Sequence, residues 1–220
     1  MILKEWGGIA VTEVYSILTP SVLQFAGPGH DVHYGANQEW YTALWKRKAG
    51  CGPTVGASLL WYLAHTRPDC AGLAPVELGQ EAMTAQMEAV WSYVTPGMRG
   101  VNRTDMFRDG VLRFAADRGT RLACDVLNVP PIPGDRPEIA QAAAFLKNAL
   151  ERDLPLAFLN LGSGAEKRLD NWHWVTIMAF APDRLMGWIY DDGLHKEFNL
   201  ALWLETSPRG GGFVTLYPMG

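Results

Sequence analysis

Long apolar runs are missing from this chain. None approaches the length needed to cross a bilayer, and the N-terminal Met1-Ile2-Leu3-Lys4-Glu5-Trp6 lacks the basic stretch and apolar segment of a secretory signal. The expected setting is a cytoplasmic, soluble protein with no membrane partner; secretion of a chain trimmed before its sequence was recorded is the other option. Cysteine is scarce: Cys51, Cys70 and Cys124 are odd in number and scattered, which excludes a disulfide framework and a repeated CxxC metal motif. Positive charge is also short. The 19 Lys and Arg stand against 23 Asp and Glu for a net charge of -4, with no basic patch to suggest a nucleic-acid partner. No repeat of solenoid period is present.

What is present is ordinary globular material, 220 residues of which 48% are hydrophobic, enough for one domain over 1–220 with a sizeable core. Residues 1–35 have little pattern beyond a strand-like stretch from Ile9 to Leu18 and a turn at Gly27-Pro28-Gly29-His30. The part from 36 to 128 reads as mainly helical. A helix follows Cys51, with Pro53 in its first turn and Val55, Leu59, Tyr62 and Leu63 at helical spacing. A second lies within Pro75 to Val94, striped by Met83, Met87, Val90 and Trp91 and stopped by Pro96-Gly97. A third, capped by Thr104, runs to Gly119. Leu122 to Leu127 reads as a strand before the breaker run Pro130-Pro131-Ile132-Pro133-Gly134, a candidate subdomain boundary.

The part from 137 to 220 opens on an amphipathic helix carrying Ile139, Ala142, Ala143, Leu146, Ala149 and Leu150. Strands follow at Leu156 to Leu161, Trp172 to Ala181, Leu185 to Tyr190 and Phe213 to Tyr217, with a short helix from Asn199 to Thr206. The middle two strands form a hairpin through Pro182-Asp183. Helices first and an antiparallel sheet after is the signature of an α+β fold.

Chemistry concentrates at two element starts. Cys51, in Gly50-Cys51-Gly52-Pro53-Thr54, sits at the positive end of a helix, where free amides and the macrodipole favour thiolate over thiol. The neighbouring Lys46, Arg47 and Lys48 read as a solvated loop. His173, in Asn171-Trp172-His173-Trp174-Val175, starts a strand and shares a face with Val175, Ile177 and Ala179. The hairpin partner returns Asp191-Asp192-Gly193 alongside it, and a carboxylate there would hold the ring's tautomer and stabilise the imidazolium. A two-residue turn at Pro182-Asp183 sets Asp192 opposite His173; a longer turn or a bulge brings Asp191 onto that face. One of the two aspartates is expected to serve only the turn with Gly193.

A cysteine at a helix start, a histidine at a later strand start and an aspartate closing the next strand resemble the papain-like cysteine peptidase superfamily. The pattern, spanning roughly residues 36–217, is similar to small bacterial peptidases that cleave double-glycine leader peptides. The resemblance implies the nucleophile helix of an N-terminal helical part packed on a C-terminal antiparallel sheet. It also implies a Cys51-His173-Asp191 triad, with Asp192 as the alternative, and a glutamine upstream of the cysteine that donates to the oxyanion together with the Cys51 amide. The family commonly places that glutamine about six residues before the cysteine, where this chain has Trp45; Gln38 is the nearest glutamine, with Asn37 as substitute.

The implied activity is hydrolysis of peptide or isopeptide bonds in a peptide or protein substrate through an acyl-enzyme, with no metal or organic cofactor. The same triad would serve an acyltransferase of transglutaminase or arylamine acetyltransferase type, and a papain fold without activity would serve as a binding module. Cys51 with His30 and His33 is a rival metal set on spacing alone.

Overall fold

The computed structural model describes residues 13–27 and 31–219. A short strand β1 (Tyr15–Ser16) leads through a 3-10 turn (Pro20–Leu23) into a hairpin of β2 (Gln24–Ala26) and β3 (Val32–Tyr34), then a second 3-10 turn (Gln38–Trp40). The helices α1 (Leu44–Ala49), α2 (Cys51–Thr66), α3 (Gln80–Trp91) and α4 (Thr104–Ala116) follow. Then come β4 (Leu122–Val129), α5 (Ile139–Glu151), β5 (Leu156–Asn160), β6 (His173–Ala181), β7 (Met186–Asp191), β8 (Leu194–Asn199), α6 (Leu200–Thr206) and β9 (Gly211–Pro218).

The main sheet runs β4-β9-β5-β6-β7-β8, antiparallel throughout, and β1 adds a short pairing to β6. Side chains alternate across it, so adjacent positions sort onto opposite faces. Trp174 on β6 stacks on Phe107 of α4, ring centres 4.5 Å apart, and donates its indole N–H to the Val101 carbonyl at 2.6 Å. Phe158, opposite Val175 and so on the other pleat, meets Trp203 of α6 edge-on at 4.6 Å. Helices therefore cover both faces of an antiparallel sheet, an α+β architecture in which α2 packs on β6.

The helix after Cys51 is buried well beyond the stripe of Val55, Leu59, Tyr62 and Leu63. Every residue from Gly52 to Leu63 is buried, because α3, α4, β6 and the 3-10 turns at 20–23 and 68–73 enclose it. A helix that is apolar all round belongs in the centre of a fold, and α2 is the centre of this one. The basic run is helical rather than a loop: within α1, Lys46 pairs with Glu88 and lies 5.1 Å over the Trp91 ring, and Arg47 donates to the Tyr41 carbonyl. Thr104 does not cap α4; it is the first helical residue and donates its hydroxyl to Asn128 on β4.

The stretch from Ile9 to Leu18 yields only β1 among the described residues, and Pro28 to His30 lie outside them. The proline run divides no sheet, since β4 ahead of it pairs with β9 over its whole length. Arg136 just beyond it donates to the carbonyls of Pro130, Pro131, Leu204 and Ser207. Among the described residues, no helix is long and apolar enough to cross a membrane.

Gly52 sets how closely α2 approaches its neighbours: a Cβ there would lie 2.9 Å from the Cβ of buried Val101 and 3.4 Å from Trp174 Cδ1. Gly52→Ala is expected to cost ~1–3 kcal/mol of unfolding free energy. The readout is a lowered urea midpoint at unchanged slope. Gly97→Ala, where nothing lies within 4 Å, should leave the midpoint in place.

Candidate active site

Cys51 is the first residue of α2, and the ladder of that helix begins with the Thr54 N–H donating to the Gly50 carbonyl at 2.9 Å. The Cys51 and Gly52 amides thus lie ahead of the ladder, and Pro53 has no N–H to place there. Cys51 is half-buried, where Cys70 is fully buried.

His173 is the first residue of β6, preceded by Trp172 in the left-handed region with φ 57°. Which aspartate shares its face follows from the hairpin. Ala181 pairs with Met186, so the turn holds residues 182–185 instead of Pro182-Asp183 alone, and the register slips once between Ile177 and Ala179. Past the slip, Thr176 faces Tyr190, and the same pairing carried one step further sets Asp191 opposite Val175, on the His173 face. Without the bulge Asp192 would take that face.

Accordingly His173 Nε2 donates to Asp191 Oδ1 at 2.6 Å. Cys51 lines the same small void as His173, and with Nε2 taken by Asp191 the ring nitrogen left to face a thiol is Nδ1. Burial works against a charged imidazole here, but the bond to Asp191 and the nearby Cys51 outweigh it and hold the His173 pKa well above its usual range. Burial likewise opposes the Asp191 carboxylate, and the bonds from His173 and Lys196 overcome it, so its pKa lies below the ordinary value. Lys196, on β8, had no role in the sequence reading. Its ammonium sits 2.7 Å from Asp191 Oδ2 and 3.7 Å from Asp170 Oδ2. Nothing in the local sequence signals it, because the contact is made across two strands.

Asp192 and Gly193 are the two residues between β7 and β8, with φ 47° and 85°. Positive φ at both positions is what a two-residue I′ hairpin loop needs. Asp192 does more than turn the chain: Oδ2 lies 3.9 Å from His173 Nε2, and Oδ1 accepts from the Gln38 N–H at 3.4 Å. Burial, with Asp191 close by, pushes its carboxyl pKa up.

Gln38 stands on the 3-10 turn at this end of the site, with Oε1 buried and unpartnered. Asn37 is occupied elsewhere, its Oδ1 accepting from the Glu39 N–H and its Nδ2 donating to the Asp192 carbonyl. Gly35 and Ala36, just upstream, line a small void together with Cys51, His173, Asp191 and Asp192.

Among the described residues, the group of side chains whose ligand atoms could converge on a metal is His173, Asp191 and Asp192, within 4.8 Å of one another. The set fits a cation poorly, because the Lys196 ammonium already occupies Asp191 Oδ2 and would repel one. His30 lies outside the described residues, and the His33 ring rests against Trp40.

No protein-family model and no curated protein matches the chain. Among solved structures it is similar to the Pseudomonas avirulence protein AvrPphB, at a TM-score of 0.35 and 12% identity, over 79% of this chain and 92% of that one. A superposition this loose decides neither fold nor activity; the architecture stands on the strand pairings and helix packing themselves.

Asp191→Asn should lower the His173 pKa, followed by NMR titration of the ring protons. The folded-state value lies above the ordinary ~6.5, so the His173 interactions contribute fully below about that pH and are lost as the pH climbs through the raised value. The substitution is therefore expected to flatten the decline of wild-type stability on the alkaline side; an unchanged slope would remove His173 as its source.

Proposed function

We propose that the chain is a papain-like cysteine peptidase or related thiol hydrolase that cleaves peptide or isopeptide bonds through Cys51, His173 and Asp191. The observation that carries this reading is the convergence of three side chains, with His173 Nε2 bonded to Asp191 at 2.6 Å and Cys51, at the start of α2, lining the same small void. An imidazole held well above its usual pKa favours the imidazolium, the partner a thiolate needs.

In the proposed cycle His173 Nδ1 takes the proton from Cys51 Sγ, and the thiolate attacks the scissile carbonyl carbon. Asp191 keeps the ring oriented, and Lys196 holds the second oxygen of that carboxylate. The tetrahedral oxyanion accepts from the Cys51 amide and from the Gln38 side chain. Support for Gln38 is its place on a turn just after Gly35 and Ala36, which line the same void as Cys51. Collapse breaks the C–N bond while the imidazolium protonates the leaving amine, leaving a thioester. Water then attacks, giving its proton to His173, and the C–S bond breaks to release acid and thiolate.

Iodoacetamide at neutral pH should label Cys51 well ahead of the other two thiols. Burial pushes Cys70 up to about 11 and raises Cys124 as well. Mass spectrometry of the labelled peptides reads the order, and labelling of Cys124 before Cys51 would sink the thiol mechanism. With a peptide substrate in hand, Cys51→Ala should abolish turnover. Gln38→Ala is expected to reduce kcat by ~10²-fold, with the alkylation rate of Cys51 unchanged.

A further inference from the structure

A cleft of about 640 Å³ opens beside Cys51, between the end of α1, the 98–102 loop and the end of β5. Its charged lining residues are Lys48, Arg99 and Arg209, with no aspartate or glutamate among them. In a chain of net charge -4, three cations and no acid around one hollow run against the overall balance. All three side chains are exposed, and none is engaged in an ion pair among the described residues.

Between the charges the walls are apolar and open to solvent. Trp45 is 53% exposed, Trp172 43% and Met98 100%. The Arg209 guanidinium lies 5.3 Å over the Trp172 ring, which keeps that cation at the rim beside His173. Beyond Arg209, Leu159 and Leu161 the cleft continues into a second hollow. The acid there, Asp105, already accepts from Arg103 at 2.9 Å.

We propose that this cleft selects peptides in which acidic side chains alternate with large apolar ones next to the bond that Cys51 attacks. The inference rests on the reading of Cys51 as a nucleophile and adds the substrate class. An exposed charge contributes little by itself. Three of one sign over low-dielectric walls focus their field on a ligand, and the effect weakens as salt screens it. The aromatic and methionine surface takes the apolar residues in between.

The test uses the full chain carrying Cys51→Ala, so that the cleft is kept and turnover is not. The probes are a fluorescein-labelled octapeptide alternating Glu with Leu and Phe, and the same peptide with Gln or Lys for Glu. By anisotropy the Glu peptide is expected to bind about tenfold more tightly than the Gln peptide. The Lys peptide should bind most weakly, and added KCl should shrink the preference. Adding Lys48→Gln, Arg99→Gln and Arg209→Gln together should erase it, and each substitution alone should reduce it. An unchanged melting temperature would show that these exposed positions leave the fold intact.

Equal binding of the three peptides, preference for the Lys peptide, no binding at all, or a Glu preference that survives the triple substitution would each overturn the proposal. Alkylation of wild-type Cys51 separates this from the reading beneath it. Selective labelling together with indiscriminate peptide binding would overturn the substrate class and leave the thiol chemistry standing. Acid-selective binding with an inert Cys51 would do the reverse.

Discussion

At Gly52 the backbone of α2 approaches the loop after α3 so closely that a side chain would stand 2.9 Å from the Val101 Cβ. That approach, with the Trp174 indole bonded to the Val101 carbonyl and stacked on Phe107, fixes where the start of α2 lies relative to the start of β6. Cys51 and His173 are the first residues of those two elements, so their meeting is a consequence of packing two buried bodies, a helix apolar all round and a central strand. The two side chains need no long flexible reach, which limits the entropy lost in bringing them together.

From that junction a line of charge runs outward, from the Cys51 thiol through the His173 imidazole and the Asp191 carboxylate to the Lys196 ammonium, with Asp170 beyond. Burial penalises each charged form in the middle of this line, and each is retained because its neighbour compensates. Removing Asp191 would strip the buried imidazole of a bond that favours its charged form, and removing Lys196 would leave a buried carboxylate oxygen unsatisfied, which is costly. Lys196 completes the account from β8, and it also places a positive charge where a metal ion would otherwise find two carboxylates.

Much of this was legible in the residue order. Pro53 and the apolar spacing marked α2, the proline and glycine breaks marked most helix ends, and the Cys, His, Asp order suggested one site. The aspartate was not settled by parity, because the choice between Asp191 and Asp192 turned on a bulge between Ile177 and Ala179; the turn, longer than Pro182-Asp183 by two residues, leaves the faces unchanged. An insertion of one residue in a pairing leaves no trace in local hydropathy. The edge strand β8 escaped notice for a related reason. Leu194 to Glu197 are polar or exposed apart from the half-buried Lys196, and only Phe198 packs inward, so the alternation that announces a strand is absent. Lys46 to Lys48 looked like a solvated loop for want of any sign that Glu88 and Trp91, on α3, would receive Lys46.

By itself the sequence determined the types of α2 to α6, β4 to β7 and β9, the placement of a thiol and an imidazole at element starts, and the predominance of helix before sheet, since these depend on spacing, breakers and propensity within short windows. Only the tertiary structure decided which carboxylate faces His173, that Lys196 holds its other oxygen, and that Lys48, Arg99 and Arg209 gather around one cleft. Those outcomes depend on register across strands and on the approach of segments far apart in the chain. A one-residue shift reverses every side chain of a strand, and no local pattern of residues encodes such a shift.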